Sequence, residues 1–344
     1  MNMKQVREIP ASAYRMIKSI DFSSAKIIRR MISIGLLVIM AIIFSITSDV
    51  FLSSRNLSFM LRDAAFLGII ALGMSVVIIG GGIDLSAGGL VCLVSTLCVR
   101  FSMTGVHGIL VIFAGIILGM VCGGINAIFV TKVKLTEFVA TLATGFVFTG
   151  LTIMVSFRHR GVLVTAPITN NTYRAFRGDL GGLYYITIIW IILAIVMYLV
   201  LTKTKFGLHT YSIGSHAKSA QMSGVNNNMV KSIGYLICGG CAGLAAVMQT
   251  AIVGSSQPKI GEGFEFQAIA SCVVGGVVLG GGKGDSISAF VGSLFLVMLI
   301  NGLLKYGLTT SWEYVLQGAI IIIATVFDAV FNRVTSRRLL ARVN

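Results

Sequence analysis

Residues 63–100, DAAFLGIIALGMSVVIIGGGIDLSAGGLVCLVSTLCVR, decide the fold of this chain, because two apolar segments flank a cluster of five glycines there. A helix that crosses a hydrocarbon core about 30 Å thick needs roughly 20 apolar residues, and each segment is close to that length. The glycine cluster holds one charged residue, Asp84. The stretch therefore predicts two membrane helices joined by a glycine-broken polar loop.

The whole chain continues this pattern. It has 344 residues, of which 56% are hydrophobic and 11% charged, too little polar surface to cover a soluble globule. Charged residues and predicted turns divide the apolar sequence into segments long enough to span a membrane. These segments predict an all-α polytopic membrane protein of about ten transmembrane helices. The predicted spans are 29–48, 63–82, 86–104, 108–130, 138–156, 183–202, 232–252, 266–281, 287–304 and 313–331.

The net charge of +15 would indicate nucleic acid in a soluble protein, but the basic residues lie mainly between the apolar runs. About two-thirds of them fall on the side shared with the N-terminus, which predicts cytoplasmic N- and C-termini and no nucleic-acid partner. The expected regions are a basic segment 1–28, a transmembrane domain 29–331 with a long cytoplasmic loop near 203–231, and a basic tail 332–344.

Two spans carry glycines at four-residue spacing, Gly115, Gly119 and Gly123 in one, Gly239 and Gly243 in the other. Such stripes favour close helix contacts, either within the chain or across a dimer. The six cysteines lie in apolar runs, where a thiol acts as a packing residue and predicts neither disulfides nor a metal site.

The sequence contains none of the catalytic motifs that we considered. Residues 277–284 (VVLGGGKG) lack the first glycine of a Walker A loop and have Gly284 where Ser or Thr would bind magnesium. No H-E-x-x-H or G-x-S-x-G motif is present, and the four histidines fall in loops or at span ends. We expect a non-catalytic chain without cofactor or metal.

Asp84 and Ser86 are the foremost functional candidates, because ionisable groups within the bilayer are costly. One interpretation is that the two residues form a polar lining or gate. The other is that Asp84 is the N-cap of the third span.

A second cluster, Gly280–Gly284, followed by Asp285 and Ser286, resembles the first and favours an internal inverted repeat. Further candidates for a path for a hydroxyl-rich solute are Asn126, Thr141, Glu265, Gln267, Asn301 and Gln317, each of which equally suits a hydrogen bond between helices.

Five ordered blocks resemble the sugar permeases of bacterial ATP-binding cassette importers, the ribose, galactose and xylose type. The chain has the G-I-D-L-S motif at 82–86 and the T-L of a second motif at 141–142. The three later blocks lie in the 206–225 loop, at 265–276 and at 280–284. The family's proline near Thr136 is missing, Gln267 replaces an aspartate, and His216 and Ser219 replace Asn and Ala.

The resemblance implies a multi-pass protein of the bacterial inner membrane, pairing with a second permease subunit, identical or not. A separate cytoplasmic ATPase would dock on the 206–225 loop through a short helix near 215–223, and a periplasmic or lipid-anchored binding protein would deliver the solute. The implied docking residues are Phe206, Gly207, Ile213, Gly214, Ser215, His216, Ala217, Ala220, Ser223 and Gly224. Similar permeases carry autoinducer-2, nucleosides or branched-chain amino acids, so these are the alternative solutes. The alternative class of transporter is a stand-alone secondary carrier.

Overall fold

The computed structural model describes residues 22–159, 162–163 and 165–305, together with isolated positions between 312 and 326. This part of the chain is helical apart from short strands and one 3-10 turn at Ala175–Arg177. The helices are α1 (Phe22–Thr47), α2 (Ser54–Ile79), α3 (Ala87–Ser102), α4 (Gly108–Thr131), α5 (Glu137–Val155), α6 (Asn171–Arg174), α7 (Tyr185–Lys203), α8 (Lys205–Met222), α9 (Asn227–Val253), α10 (Phe264–Val274) and α11 (Ser286–Lys305). The two-residue strands are β1 (Arg158–His159), β2 (Val162–Leu163), β3 (Ala166–Pro167), β4 (Asp179–Leu180), β5 (Leu183–Tyr184) and β6 (Ser255–Ser256).

Six of these helices, α2, α4, α5, α7, α9 and α11, are long and apolar enough to cross a membrane. Shorter apolar helices lie in α1, α3 and α10. Each of the first nine predicted spans overlaps one of these helices, which confirms an all-α polytopic membrane protein. The tenth predicted span, 313–331, the 332–344 tail and the first 21 residues lie outside the part that the structure describes, apart from the isolated positions.

The eighth predicted span, 266–281, is wrong in its second half. Helix α10 has 11 residues and ends at Val274, so at 1.5 Å per residue it is only about 16 Å long. Gly276, Gly281, Gly282 and Gly284 follow with positive φ angles, a conformation that glycine adopts without the usual steric cost. The chain therefore turns several times after α10 instead of continuing as a helix.

The glycine stripes pack against each other within the chain. A Cβ atom at Gly119 would lie 2.2 Å from the carbonyl oxygen of Gly239, and one at Gly243 would lie 2.3 Å from that of Gly115. The backbones of α4 and α9 thus touch directly, as small-residue stripes in membrane helices allow. Of the two arrangements that the spacing left open, the structure has the contact within one chain.

The connections between helices meet in two separate groups. In the first group β3 pairs with β6, and Asn170 donates hydrogen bonds to the carbonyl oxygens of Ser102 (3.0 Å) and Val106 (2.7 Å). In the second, Lys231 forms an ion pair with Glu137, and Lys134 donates to Asn228 over 2.8 Å. Alternating spans place each group on one side of a membrane, and the long segment between α5 and α7 covers the first side.

Candidate functional site

Asp84 lies in the loop between α2 and α3 and is 0% exposed. Its Oδ1 atom accepts hydrogen bonds from the Ser86 backbone N–H (2.9 Å), the Ser86 hydroxyl (2.7 Å) and the Asn126 amide (3.3 Å). Burial of a carboxyl group is costly unless hydrogen bonds compensate for lost water. The three donors do so at Oδ1, whereas Oδ2 is buried without a hydrogen-bond partner. The loop thereby holds Asp84 against α4.

Asn126 extends this arrangement to α5. Its amide nitrogen donates to Ser86 Oγ (2.7 Å), and its amide oxygen accepts from the Thr144 hydroxyl (2.5 Å). The hydroxyl of Thr141 accepts from the backbone N–H of Leu85 over 3.0 Å. We call Asp84, Ser86, Asn126, Thr141 and Thr144 the polar cluster; it joins the α2–α3 loop, α4 and α5.

Of the two roles predicted for Asp84, the N-cap of the third span is wrong: Ser86 holds that position, without a side-chain cap hydrogen bond. Asp84 accepts the backbone N–H of Ser86 two residues further on, ahead of the helix, whereas a capping side chain accepts from the first turn of the helix itself. Asp84 is instead the centre of a buried network that links three segments. Asn126 lies five residues before the end of α4, which places the cluster about 7 Å from the helix end.

Sequence reasoning missed three neighbours of the site. Thr144 follows Thr141 by three residues on α5, a spacing that puts two side chains on one helix face and could have identified it. The Tyr235 hydroxyl donates to the Ile83 carbonyl over 3.2 Å. The Cys238 thiol lies beside the Asp84 carboxyl group. Helix α9, which carries both residues, is separated from Asp84 by about 150 positions, so no local pattern revealed them.

The other path candidates lie elsewhere. Glu265 is in the first turn of α10 against Gly88, where a Cβ would overlap its carboxylate. Gln267 follows it on α10 and is half-buried. Asn301 forms a reciprocal amide pair with Asn56, at 3.0 and 3.3 Å, where α2 begins and α11 approaches its end. Gln317 lies outside the described residues. The structure thus brings together Asp84, Ser86, Asn126 and Thr141, and it places Glu265, Gln267 and Asn301 elsewhere.

The 203–231 loop differs from the predicted turn, short helix and turn. Helix α8 begins at Lys205, ten residues earlier than expected, because the Thr204 hydroxyl caps it by accepting from the Gly207 N–H (3.3 Å). It is kinked at His216, whose φ and ψ of −159° and 90° are not helical. The short helix predicted near 215–223 corresponds only to the part after this kink, up to Met222.

The two halves of α8 differ in the solvent exposure of their residues. Gly207, Ile213 and Ala220 are buried against the membrane helices, and Phe206 and Gly214 are half-buried. The residues from Ser215 to Ser219 and from Gln221 to Gly224 are exposed. Of the predicted docking residues, Ser215, His216, Ala217, Ser223 and Gly224 are therefore accessible to a partner, whereas the others position the helix.

Both glycine clusters meet α8 at one point, which we call the glycine junction: Gly81, Gly214, Gly281 and Gly282. The Gly282 N–H donates to the carbonyl oxygen of Ile79 over 2.8 Å. A Cβ at Gly214 would lie 1.8 Å from that oxygen and 2.4 Å from the Gly282 nitrogen. Only glycine at position 214 allows this approach of three backbones.

Tyr211 strengthens the attachment. Its hydroxyl donates to the Gly284 carbonyl oxygen over 2.7 Å, and burial raises the pKa of the phenol, so that the donor stays protonated. The first half of α8 is therefore fixed to the ends of both glycine loops.

The two loops also share a local hydrogen-bond pattern. In each, an aspartate Oδ1 accepts from the backbone N–H and the hydroxyl of one serine. Asp285 bonds Ser288 three residues on, within α11, at 2.9 Å for both bonds, whereas Asp84 bonds Ser86 two residues on, ahead of α3. Each aspartate follows a triple glycine and precedes a helix. The chain contains two similar loop-to-helix units that touch at the glycine junction.

These features define a class of protein. Apolar helices surround a buried polar cluster, broken segments join them, and a helix outside the spans is anchored to the loop of that cluster. Within the described residues, no group of three or more His, Cys, Asp or Glu side chains could hold a metal ion. This is the architecture of a membrane permease.

Residues 56–325 match the family described as "Branched-chain amino acid transport system / permease component". The chain belongs to this family of permease components, which are non-catalytic multi-pass proteins of bacterial inner membranes. It is 38% identical to the ribose import permease protein of Bacillus subtilis over 293 residues, 85% of this chain and 90% of the relative. It is 30% identical to the D-allose transport system permease protein of Escherichia coli over 87% of this chain and 90% of the relative. The galactose/methyl galactoside import permease protein of Haemophilus influenzae is 31% identical over 86% of this chain and 92% of its own length. No solved structure matches the chain.

Proposed function

We propose that this chain is the permease subunit of an ATP-binding cassette importer and forms the translocation path for a monosaccharide. The observation that carries the proposal is its similarity, over most of its length, to import permeases for ribose, allose and galactose. A monosaccharide also suits the uncharged hydroxyl and amide groups of the polar cluster, which can exchange hydrogen bonds with sugar hydroxyls.

The proposed arrangement has ten spans, cytoplasmic N- and C-termini and an inverted repeat centred on the two glycine loops. Segment 1–28 and tail 332–344 flank the 29–331 permease domain in the cytoplasm. The paired aspartate loops and the sorting of connections into two groups support this topology. The partners are a second permease subunit, a cytoplasmic ATPase, a solute-binding protein outside and the surrounding lipid.

The ATPase drives transport through α8. Binding and hydrolysis of ATP move the exposed second half of α8, and the anchored first half transmits this motion through the glycine junction to the Asp84 loop. Because hydrogen bonds of the polar cluster join the α2–α3 loop to α4 and α5, the cluster holds these segments closed until the loop moves. Glu265, Gln267, Asn301 and Gln317 remain candidates for solute contact elsewhere along the path.

Reconstitution tests this function. Proteoliposomes that contain the chain, its ATPase and its binding protein should take up labelled ribose, allose, galactose or xylose only with ATP on the ATPase side. Leucine, a nucleoside and autoinducer-2 serve as competing solutes, and uptake of one of them instead would replace the sugar but keep the permease role. Undiminished ATP-driven uptake in vesicles that lack this chain would reject the role itself.

A further inference from the structure

A cavity of about 630 Å³ lies beside the exposed half of α8. We call it the cytoplasmic basin. The turn between α4 and α5 (130–137), the segment from Ala217 to Val225 and the first turn of α9 form its walls. The Asn227 amide donates to the Ala217 carbonyl over 2.8 Å, which ties the end of α8 to the start of α9. The Lys231–Glu137 ion pair joins α9 to α5 at the same place.

The lining of the basin carries a net positive charge. Glu137 is the only acidic residue of its lining, and Lys231 already neutralises it. Lys134 adds a further positive charge and is exposed. Lys132, Lys203, Lys205 and Lys218 are exposed on the same side, whereas Asp84 and Asp285 in the two glycine loops are buried. The surface is complementary to an acidic partner.

Lys134 has an unusual backbone conformation. Its φ of 66° is the only positive value among the described non-glycine residues, and a left-handed conformation costs an ordinary residue about 1–2 kcal/mol. Glycine or asparagine at this position would fold more easily. The lysine amino group also donates to Asn228 over 2.8 Å, which directs it along the basin wall. A lysine retained at a site that favours other residues points to a function for its charge.

An exposed apolar side chain, Met222, lies in the chain between two lining residues of the basin, Gln221 and Gly224. Met222 ends α8 and is 83% exposed, although it lies outside the predicted spans and thus away from the hydrocarbon core. Flexible exposed methionines are suited to contacts with protein partners. The basin shares Ala217, Gln221 and Gly224 with the exposed surface of α8, so one partner can contact both.

We propose that the basin is a second docking site for the ATPase, which inserts an acidic surface segment whose carboxylate pairs with Lys134 beside an apolar contact to Met222. The inference rests on the proposed function. It extends the ATPase interface from α8 to the α4–α5 turn and the start of α9. Because the α4–α5 turn leads directly into the helix that carries Thr141 and Thr144, ATPase docking would reach the polar cluster by a second route.

The test uses the full-length chain in nanodiscs of neutral phosphatidylcholine and the ATP-hydrolysing subunit that co-purifies with the wild-type chain. Lys134→Asn removes the charge and suits the left-handed backbone, so the variant should remain at least as stable as wild type in thermal unfolding. It should bind the ATPase roughly tenfold more weakly, the loss of about one charge-assisted contact. Its affinity should also depend less on salt. Lys132→Asn, on the same turn but outside the basin lining, is the matched control and should bind normally.

Equal affinity of the wild type and Lys134→Asn for the ATPase would overturn the basin proposal and leave the proposed function intact. The proposal would also be overturned if the wild type and Lys134→Asn differ in ATPase affinity only in nanodiscs that contain anionic phosphatidylglycerol. Lys134 would then contact lipid. If no ATP-hydrolysing subunit co-purifies with the wild-type chain, the proposed function itself would be rejected. A Met222→Ser variant supplies a second readout. It should bind the ATPase more weakly than wild type, and its affinity should have the same salt dependence as that of wild type.

Discussion

At the scale of single residues, the polar cluster ties three segments together through buried hydrogen bonds. Asn126 bonds to Asp84, Ser86 and Thr144, and removing one partner leaves another group buried without its bond. An unsatisfied buried acceptor costs about 1–3 kcal/mol, more than the net gain of an average hydrogen bond. The cluster is therefore sensitive to changes of one atom.

Two threonines of α5 test this sensitivity. The hydroxyl of Thr144 donates to Asn126 on α4, whereas the buried hydroxyl of Thr152 donates only to Phe148 within its own helix. We expect Thr144→Val to lower the free energy of unfolding by about 1–3 kcal/mol because Asn126 loses its donor. Thr152→Val should change it by less than about 1 kcal/mol. Thermal unfolding of the purified variants measures the difference, and equal losses would contradict a role for the bond between helices.

At the scale of elements, α4 and α9 form the closest helix pair. Their glycines let carbonyl oxygens of one helix touch the Cα atoms of the other, which a side chain would prevent. Glycines with open space around them, such as Gly150 on α5, have no such constraint.

Alanine substitutions separate these two kinds of glycine. Gly119→Ala places a Cβ 2.2 Å from the Gly239 carbonyl oxygen, so the helices must move apart, and we expect a loss of about 1–3 kcal/mol. Gly150→Ala meets no atom within 4 Å and should stay within about 1 kcal/mol of wild type. Unfolding in detergent monitors both, and a tolerant Gly119 would argue against the packing.

Helix α8 offers a functional test at the same scale. Gly214→Ala places a Cβ 1.8 Å from the Ile79 carbonyl oxygen, which forces α8 away from both glycine loops. We expect the ATPase to bind and hydrolyse ATP while uptake falls at least tenfold, since the exposed half of α8 is unchanged. Gly234→Ala, whose nearest neighbour is 3.9 Å away, should retain uptake. Normal transport by Gly214→Ala would show that the junction does not transmit motion.

At the scale of the whole molecule, the sorting of connections predicts which surfaces face each side of the membrane. Leu180 is 65% exposed in the segment between α5 and α7, and Met222 is 83% exposed at the end of α8. The native cysteines are all buried. A cysteine introduced at an exposed described position would therefore be the accessible thiol.

Labelling of intact cells with a membrane-impermeant thiol reagent tests the topology. Leu180→Cys should react from outside, whereas Met222→Cys should react only after the membrane is opened, because the proposed topology puts α8 in the cytoplasm. The unsubstituted chain, with its buried thiols, is the control for background labelling. The reverse pattern would place the termini outside.

Much of the candidate site was accessible from the sequence because it follows local rules. Hydrophobic length predicted the helices, the distribution of lysine and arginine predicted the sides, and the glycine cluster with Asp84 identified the loop that matters. The same rules failed where glycines stop a helix, as after Val274, and where a cap starts one early, as at Lys205. Apolar content alone does not reveal either event.

Sequence by itself therefore determined that this chain is a membrane protein of many helices, with Asp84 in a broken segment and a basic loop beyond the spans. Only the tertiary structure decided that Asn126 and Thr144 complete the polar cluster, that the glycine stripes meet within one chain, and that α8 is held by two glycine loops some 200 residues apart. The physical reason is that helix formation depends on neighbours along the chain, whereas hydrogen bonds and close backbone contacts between helices depend on distances that the order of residues does not express.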